Sequence, residues 1–573
     1  MVSPNLVKRL DSENKLELND NAKRLFQAIY KQQNLSEETE KDIPKIRVSS
    51  LISRLAFFYE KVRNAVDYEE EHLLRKNAIA RILRRQILIE GVLKDSDSLK
   101  ISEHLLVELI RGSYLSNNSV PEAKIQELAL MLDKYIYLKN EINSRLNSEL
   151  NLKTDINKAK DLINKKNNLI HWLISLAACE IENNLAPDPV NRVIVHNLFS
   201  TLSANISLSE TAAKEINLDI QLYLSISRKF LKFDSDMLGF VLFKYYNSDW
   251  VNLNDRRLTE EDLAKIKEIG LNFENIKNLI DNQIKQPIRK QLDRIVRPYA
   301  LYASILAETI AQNPTEIYRK MQKDENSFAA AIRQVCEKKY NKARHRLWRA
   351  AIRSIIYIFL TKSIFVLLIE VPSIKFFGEP MNYSTLAINI SFPVVLLFII
   401  VALTRKPGKE NTDKIVSGVE DLTFVGKGRK RPLVIRKPAR RGWLRDGIYK
   451  LIYGAAFVVS IYYIIKLLTL IDFTWVSVII FLFFLALVSF FSIRTTAEIK
   501  ELIVLDRREN ILTFLLDLFY MPIILAGRWL SESFSKINIF IFFFDFIIES
   551  PFKVLMEIAD DWTKYVRERR DNL

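Results

Sequence analysis

The sequence has little glycine, cysteine and histidine. Of its 573 residues, 13 are glycine, 2 are cysteine and 5 are histidine, and only four glycines precede residue 350. The glycine-rich, zinc-protease and serine-hydrolase patterns that mark common nucleotide-binding and catalytic sites do not occur. No histidine has another histidine or a cysteine three or four residues away, which disfavours a metal site. The sequence therefore predicts no enzyme, no metal and no cofactor.

The two cysteines, Cys179 and Cys336, are far apart and form no CxxC pair. This pattern indicates a reducing compartment and no structural disulfide. Residues 1–10 contain no apolar stretch of the kind found in a cleavable signal peptide. We therefore expect the first long apolar run to act as an internal membrane-insertion signal.

The net charge of +16 is concentrated in two short segments. Residues 336–354 carry seven basic and one acidic side chain, and residues 404–445 carry thirteen basic and four acidic ones. Both segments adjoin long apolar runs, which is the positive-inside pattern of membrane proteins. The pattern predicts a multi-pass protein of the plasma membrane with its N- and C-termini in the cytoplasm.

Four apolar runs are long enough to cross a hydrocarbon core of about 30 Å as helices. They pair into two hairpins, because the connections within each pair are short and lack the basic bias of the flanking segments. The runs are residues 352–371, 386–403, 449–471 and 473–493.

Residues 511–549 form a less certain fifth apolar region. Polar side chains recur there every three or four residues, which predicts two amphipathic helices, 511–525 and 527–549. These helices either lie in the plane of the membrane interface or form a transmembrane hairpin with inward polar stripes. We prefer the in-plane arrangement, because Asp517 at the centre of a span is costly.

The remaining sequence has helical periodicity and no sustained strand-type alternation. One exception is a predicted small β-hairpin formed by residues 422–425 and 433–435. The predicted fold class is all-α, with a helical cytoplasmic domain followed by a polytopic membrane domain of four spans plus amphipathic membrane-embedded helices. In chain order the domains are a mobile N-terminal segment (1–45), the helical cytoplasmic domain (46–250), a membrane-proximal helical region (251–350), a first transmembrane hairpin (351–404), a basic cytoplasmic loop (405–446), a second hairpin (447–494), amphipathic helices (495–550) and a C-terminal amphipathic helix (551–573).

Four charged residues within apolar segments are candidate functional groups: Lys362, Lys466, Asp517 and Asp545. Lys466 is close enough to a span end for its stem to carry the ammonium outward. Lys362 lies near the centre of its span and needs a carboxylate, carbonyls or water as a partner. Asp517 or Asp545 supplies the carboxylate if the last apolar region enters the membrane. A structural ion pair is the default interpretation, and a conduction site is the alternative.

The basic segments predict contacts with anionic lipid headgroups, because polybasic stretches beside spans are attracted to anionic leaflets. No aromatic residues alternate with the cations at 429–431, so nucleic acid is not expected as a partner. The predicted lipid-contacting residues are Arg344, Arg346, Arg349, Arg429, Lys430, Arg431, Arg440 and Arg441.

Two hypotheses of function follow. The leading one is a membrane-tethered scaffold or assembly factor whose helical cytoplasmic domain binds a protein partner. Its rival is a channel or transporter subunit that uses Lys362, Asp517 and Asp545 along a polar path.

Overall fold

The protein is almost entirely helical in a computed structural model, which confirms the predicted fold class. The structure describes residues 18–38, 43–49, 53–54, 56–57, 60–61, 70–89, 97–151, 156–209, 216–253, 257–323, 325–378, 382–424, 433–435, 442–505 and 511–536, with positions 558, 562, 565–566 and 569 near the C-terminus.

Eighteen α-helices are defined within these residues. In chain order they are α1 (Asp20–Glu38), α2 (Glu71–Arg84), α3 (Ser98–Arg111), α4 (Ala123–Asn151), α5 (Ile156–Leu185), α6 (Pro189–Ser203), α7 (Leu218–Lys229), α8 (Ser235–Tyr246), α9 (Glu260–Ile284), α10 (Arg289–Gln312), α11 (Pro314–Lys323), α12 (Glu325–Phe365), α13 (Val371–Phe376), α14 (Tyr383–Leu403), α15 (Lys409–Thr423), α16 (Trp443–Thr469), α17 (Trp475–Glu501) and α18 (Ile511–Lys536).

The chain divides into two compact units. The N-terminal unit comprises residues 23–300, 427–437 and 548–573, and the span unit comprises residues 1–22, 301–426 and 438–547. The N-terminal unit is built on helices α2 to α9 around one apolar core. The spacing of apolar residues in 125–146 predicts a long helix, and α4 buries Leu128, Leu132 and Tyr135 in that core.

Helix starts in the N-terminal unit follow local capping chemistry. The spacing of Thr259 and Asp262 predicts a capping box, and the two residues form it at the start of α9. The Asp262 carboxylate accepts hydrogen bonds from the backbone N–H of Thr259 at 3.0 Å and from its hydroxyl at 2.7 Å. In return, the Thr259 hydroxyl oxygen accepts from the backbone N–H of Asp262 at 3.4 Å. Such reciprocal bonds satisfy donors that the first helical turn leaves without partners.

The span unit holds four helical segments that are long and apolar enough to cross a membrane. They are Asn326–Phe376, Tyr383–Leu403, Trp443–Thr469 and Trp475–Glu501. The first two contain the predicted runs 352–371 and 386–403, and the last two cover the predicted runs 449–471 and 473–493 except for residues 470–471 and 473–474. The segment 326–376 continues from the basic stretch into the apolar run without a break. Helix α17 is the most buried of the four, and α16 is the most exposed.

Helix α18 packs beside α16 and α17. The Ser460 hydroxyl of α16 donates to the carbonyl of Phe519 at 3.2 Å. At Gly527, a Cβ would lie only 1.9 Å from the carbonyl oxygen of Ala486, so the backbones of α18 and α17 approach closely there. The sequence predicts separate helices before and after Gly527, whereas α18 continues through this glycine. The reason is that Gly527 permits helix contact rather than ending a helix.

The strands are confined to one short pair in the part of the chain that the structure describes. Strand β1 (Ile206–Leu208) pairs in parallel with β2 (Leu433–Ile435). This pairing differs from the predicted hairpin of residues 422–425 and 433–435. Phe424 instead forms an isolated antiparallel bridge with Leu18.

Candidate functional site in the apolar helix bundle

Lys362 lies inside the bundle of apolar helices, and its side chain has no exposed surface. Its Nζ donates to the backbone carbonyl of Ile480 at 3.4 Å and lies 4.2 Å from the centre of the Phe484 ring. A carbonyl dipole and an aromatic face both stabilise a cation. Both contacts come from α17, so α17 holds Lys362 in place.

Glu370 is a second fully buried charged residue on the same helical segment. The segment widens into a π-helical turn over Val366–Glu370, where the N–H of Val371 donates to the carbonyl of Val366. Pro372 explains the widening, because its ring has no N–H to donate and collides with the carbonyl four residues earlier. Such π-turns recur at functional sites and here direct Glu370 inward.

The Glu370 carboxylate accepts three hydrogen bonds from neutral side chains. The amide Nδ2 of Asn389 on α14 donates to Oε1 at 2.7 Å and to Oε2 at 2.9 Å. The hydroxyl of Ser477 on α17 donates to Oε1, and Thr474 donates to the Ser477 oxygen at 2.9 Å. Three helical segments therefore meet at this carboxylate. We call Glu370, Asn389 and Ser477 the carboxylate site.

The carboxylate site retains unused hydrogen-bonding capacity. The Oδ1 atom of Asn389 is buried and has no hydrogen-bond partner. Pro393 also lacks the N–H that would bond the backbone carbonyl of Asn389, so an acceptor is available at the same level of α14. A protonated Glu370 needs an acceptor for its proton, and a rotated Asn389 amide supplies one. A charged Glu370 needs donors, which Asn389 and Ser477 supply as they stand.

Lys362 and Glu370 do not form a direct ion pair. No carboxylate lies within the 4.0 Å ion-pair distance of Lys362 Nζ among the residues that the structure describes. Each buried charge is thus stabilised by neutral dipoles, which differs from the closely paired charges usual in protein interiors.

The other charged residues singled out in the apolar segments lie apart from this site. Lys466 is exposed near the end of α16, and Asp517 is exposed on α18. The structure places the carbonyl of Ile480, rather than Asp517, beside Lys362. Asp545 lies outside the described residues.

The predicted lipid-contacting residues divide in a similar way. Arg344 and Arg349 are exposed on α12. Arg346 forms an ion pair with Glu498 of α17, with Nη1 and Oε1 2.9 Å apart. Five of the predicted residues lie outside the described part of the chain: Arg429, Lys430, Arg431, Arg440 and Arg441.

A second buried polar cluster lies in the core of the N-terminal unit. Lys134 Nζ is 3.0 Å from Glu180 Oε1 and donates to the carbonyl of Trp250 at 2.9 Å. The indole of Trp250 donates to Glu180 Oε2 at 3.1 Å, and the Tyr135 hydroxyl donates to the same oxygen at 2.5 Å. Burial raises the pKa of the Tyr135 phenol well above its usual range. These groups satisfy one another fully, which is the arrangement of a structural network.

The N-terminal unit offers neither an activated thiol nor a metal site within the described residues. Cys179 is buried, and burial raises the pKa of its thiol well above the usual range. The thiolate form that attacks substrates is therefore disfavoured. No group of three histidine, cysteine, aspartate or glutamate side chains is placed to hold a metal ion in this described part.

Sequence reasoning identified Lys362 but missed Glu370, Asn389 and Ser477. Two local signals were present in the sequence. Glu370 is an acid inside an apolar run, two residues before Pro372, and Asn389 is an amide inside the next run. Ser477 carried no comparable signal, because serine is common in transmembrane helices.

Comparisons with protein-family models, with curated proteins and with solved structures find no match to this chain.

Proposed function

We propose that the protein is an integral membrane transport or channel subunit that binds and passes protons at Glu370. The observation that carries this proposal is a fully buried carboxylate inside a bundle of membrane-length helices, whose donors among the described residues are all neutral. Ionisable groups inside membrane bundles are costly, and they mark proton and ion pathways more often than structural sites.

The proposed mechanism uses two hydrogen-bonding states of the carboxylate site. In the charged state, Glu370 accepts from Asn389 and Ser477. In the protonated state, Glu370 donates to Asn389 Oδ1 after the amide rotates, and the Ser477 hydroxyl adapts because it both donates and accepts. Both states give the Glu370 carboxyl group hydrogen-bond partners, so Glu370 can gain and lose a proton without unfolding the bundle.

The proposed topology places the four helices across the plasma membrane with both termini in the cytoplasm. The excess of basic residues in 336–354 and 404–445 supports this orientation. The site then lies between the first, second and fourth crossings, because Glu370, Asn389 and Ser477 belong to those segments.

Proton flux through the full-length protein in vesicles tests the proposal. The purified chain is reconstituted with a trapped pH-sensitive dye, and acidification is followed after a potassium diffusion potential is imposed. We expect wild-type protein to carry protons and Glu370→Gln to abolish the flux, because glutamine keeps the size and polarity but does not titrate. Glu370→Asp should retain part of the flux.

Glu410→Gln is the matched control, because Glu410 is exposed at the start of α15 and has the same chemistry. The control should conduct like wild type. Equal flux in wild type, Glu370→Gln and protein-free vesicles would contradict the proposal.

The scaffold hypothesis is the second candidate, and a surface feature of the N-terminal unit supports it. Leu271 and Leu279 are 54% and 44% exposed and lie two turns apart on α9, so they share one face. Exposed leucines on one face are typical of protein contacts. A scaffold predicts that Leu271→Glu with Leu279→Glu removes specific partners recovered with the tagged full-length chain, while proton flux is unchanged. Recovery of the same partners would contradict the scaffold role of this face.

A further inference from the structure

Two sets stand out among the basic side chains of α12 that precede the apolar part of the helix, and Arg344 and Arg353 belong to neither. Three of them are held by carboxylates of other helices, with nitrogen–oxygen distances of 3.2, 2.7 and 2.9 Å respectively. These pairs are Arg333 with Asp413, Lys339 with Glu308, and Arg346 with Glu498. This first set is neutralised within the fold.

The second set comprises Lys338, Lys342, His345 and Arg349, which line an open groove of about 690 Å³. They follow one another at spacings of four, three and four residues, so they form one stripe along the helix. All four are exposed, and none forms an ion pair or side-chain hydrogen bond within the described residues. We call this groove the basic groove. Its positive charge has no counter-charge from the described fold.

The end of the basic groove nearest the apolar part of α12 is lined by apolar side chains. Trp348 and Ile352 complete its lining with Asn341. Trp348 is half-buried and is oriented by edge-to-face packing on Phe398 of α14, with ring centres 6.0 Å apart. Ile352 continues along α12 into Ile356, and these two side chains are 52% and 54% exposed. The lining of the groove therefore changes from cationic to apolar toward the apolar part of α12.

We infer that the basic groove binds one anionic phospholipid from the leaflet that α12 enters. The lipid phosphate contacts Lys338, Lys342 and Arg349, and an acyl chain lies along Ile352 and Ile356. Trp348 sits at the level of the headgroup, where tryptophan is enriched in membrane proteins. Charge complementarity and the apolar continuation select this occupant, because a soluble anion makes no use of Ile352 or Ile356.

Binding of a lipid in the basic groove differs from a general electrostatic attraction between a polybasic segment and the membrane. A diffuse electrostatic attraction depends on total charge and treats every cation near the surface alike. The basic groove instead assigns binding to the second set and excludes Arg346, which Glu498 already neutralises. It is independent of the proposed proton flux, since none of its residues belongs to the carboxylate site.

Native mass spectrometry of the detergent-purified full-length chain tests the inference. Phosphatidylglycerol or phosphatidylcholine is added, and the fraction of protein that retains lipid is measured. We expect preferential retention of phosphatidylglycerol by wild type. The triple variant Lys338→Gln, Lys342→Gln, Arg349→Gln should bind phosphatidylglycerol roughly tenfold or more weakly, because each removed cation contributed attraction to the headgroup. All three positions are exposed, so the variant retains the packed core.

The matched control removes the same charge from exposed lysines of the N-terminal unit: Lys267→Gln, Lys285→Gln and Lys290→Gln. It should retain phosphatidylglycerol like wild type. Equal retention by the groove variant and wild type would overturn the inference, and so would equal loss in both triple variants.

Two further arms distinguish lipid from a soluble anion. Inorganic phosphate should not displace phosphatidylglycerol at equal concentration, because it lacks the acyl chain. Ile352→Ser should weaken retention of phosphatidylglycerol while leaving the weak binding of glycerol phosphate unchanged. Displacement by inorganic phosphate, or an Ile352→Ser variant that binds lipid like wild type, would identify a soluble-anion site and overturn the lipid assignment.

Discussion

Lys134 in the N-terminal unit and Lys362 in the span unit are buried lysines with closely similar surroundings. Each lies against an aromatic ring, at 4.6 Å from the Trp250 ring for Lys134 and 4.2 Å from the Phe484 ring for Lys362. Each also donates to a backbone carbonyl. They differ in one respect: Lys134 has the Glu180 carboxylate at 3.0 Å, whereas Lys362 has no carboxylate within ion-pair distance among the described residues.

The buried acids Glu180 and Glu370 differ in the same way as the two lysines. Glu180 accepts from Lys134 as well as from Tyr135 and Trp250, whereas Glu370 accepts from neutral groups only. Removing one member of a close pair leaves the other charge uncompensated, which is strongly destabilising. A charge that is stabilised by neutral dipoles has no charged partner, so its removal leaves no uncompensated charge. The comparison teaches that the core network holds its charges in close pairs, whereas the bundle holds them apart, which is the feature on which the proposed protonation of Glu370 depends.

The largest effect is expected for Lys134→Met. Methionine fills the space but leaves Glu180 charged and buried without its cation, so unfolding of the N-terminal unit should become easier by about 3–5 kcal/mol. Pulse proteolysis of the full-length protein in detergent across a urea series measures this free energy. Lys265→Met is the control, because Lys265 pairs with Glu261 at 2.8 Å on the exposed surface of α9. The control should cost little, because an exposed ion pair is screened by solvent, and equal costs would break the comparison.

A smaller effect, in the span unit, is expected for Gly527→Leu. The new side chain has to displace the backbone of α17 at Ala486, which should cost about 1–3 kcal/mol of stability. Thermal melting in detergent, followed by circular dichroism, measures the loss. Gly454→Leu on α16 is the matched control, since a Cβ there meets nothing within 4 Å. Equal melting temperatures for the two variants would show that α17 and α18 are not in close contact at Gly527.

Lys362→Met is expected to have a still smaller effect on stability, within about 1 kcal/mol of wild type, because it leaves no paired carboxylate behind. The same melting assay applies, and Lys134→Met is its direct counterpart. A loss of several kcal/mol would show that Lys362 compensates a buried acid, and the contrast between the two units would fail.

The smallest effect concerns His72, an exception to the charge compensation of the N-terminal unit. Burial lowers the pKa of its imidazole below the usual 6.5, despite the nearby acids Glu70 and Asp234. The unfolded chain therefore binds a proton at a higher pH than the folded chain does. Stability from this group is present above the unfolded pKa of about 6.5 and is lost as the pH falls below it.

We expect His72→Gln to reduce the drop in melting temperature between pH 7.5 and pH 5.5. The free-energy difference should be about 1 kcal/mol or less at the lower pH. His196→Gln, at an exposed position of α6, should keep the wild-type pH dependence. An unchanged drop in His72→Gln would show that other groups control the acid sensitivity.

Sequence reasoning succeeded where the signal is local. Hydropathy locates the four membrane-length helices, because every backbone group in a span has to be satisfied within its own segment. The capping box at Thr259 and the buried face of α4 also follow from residues close together in the chain. Such features do not depend on which helices become neighbours.

Sequence reasoning failed where helices from different parts of the chain meet. Glu370, Asn389 and Ser477 are brought together by packing, and no spacing in the sequence relates them. The partner of Lys362 is the backbone carbonyl of Ile480, which no side-chain pattern indicates. The predicted break at Gly527 was wrong because glycine occurs both at helix ends and at close helix contacts. Only the packing of Gly527 against Ala486 distinguishes the two cases.

The most direct test of the central claim is the protonation of Glu370 in the reconstituted protein. Infrared difference spectra between acidic and alkaline buffers report the C=O band of a protonated carboxyl in an apolar setting. We predict a band that appears on acidification in wild type and Glu410→Gln and is absent in Glu370→Gln. Identical spectra for wild type and Glu370→Gln would mean that Glu370 exchanges no proton with water, which contradicts the account.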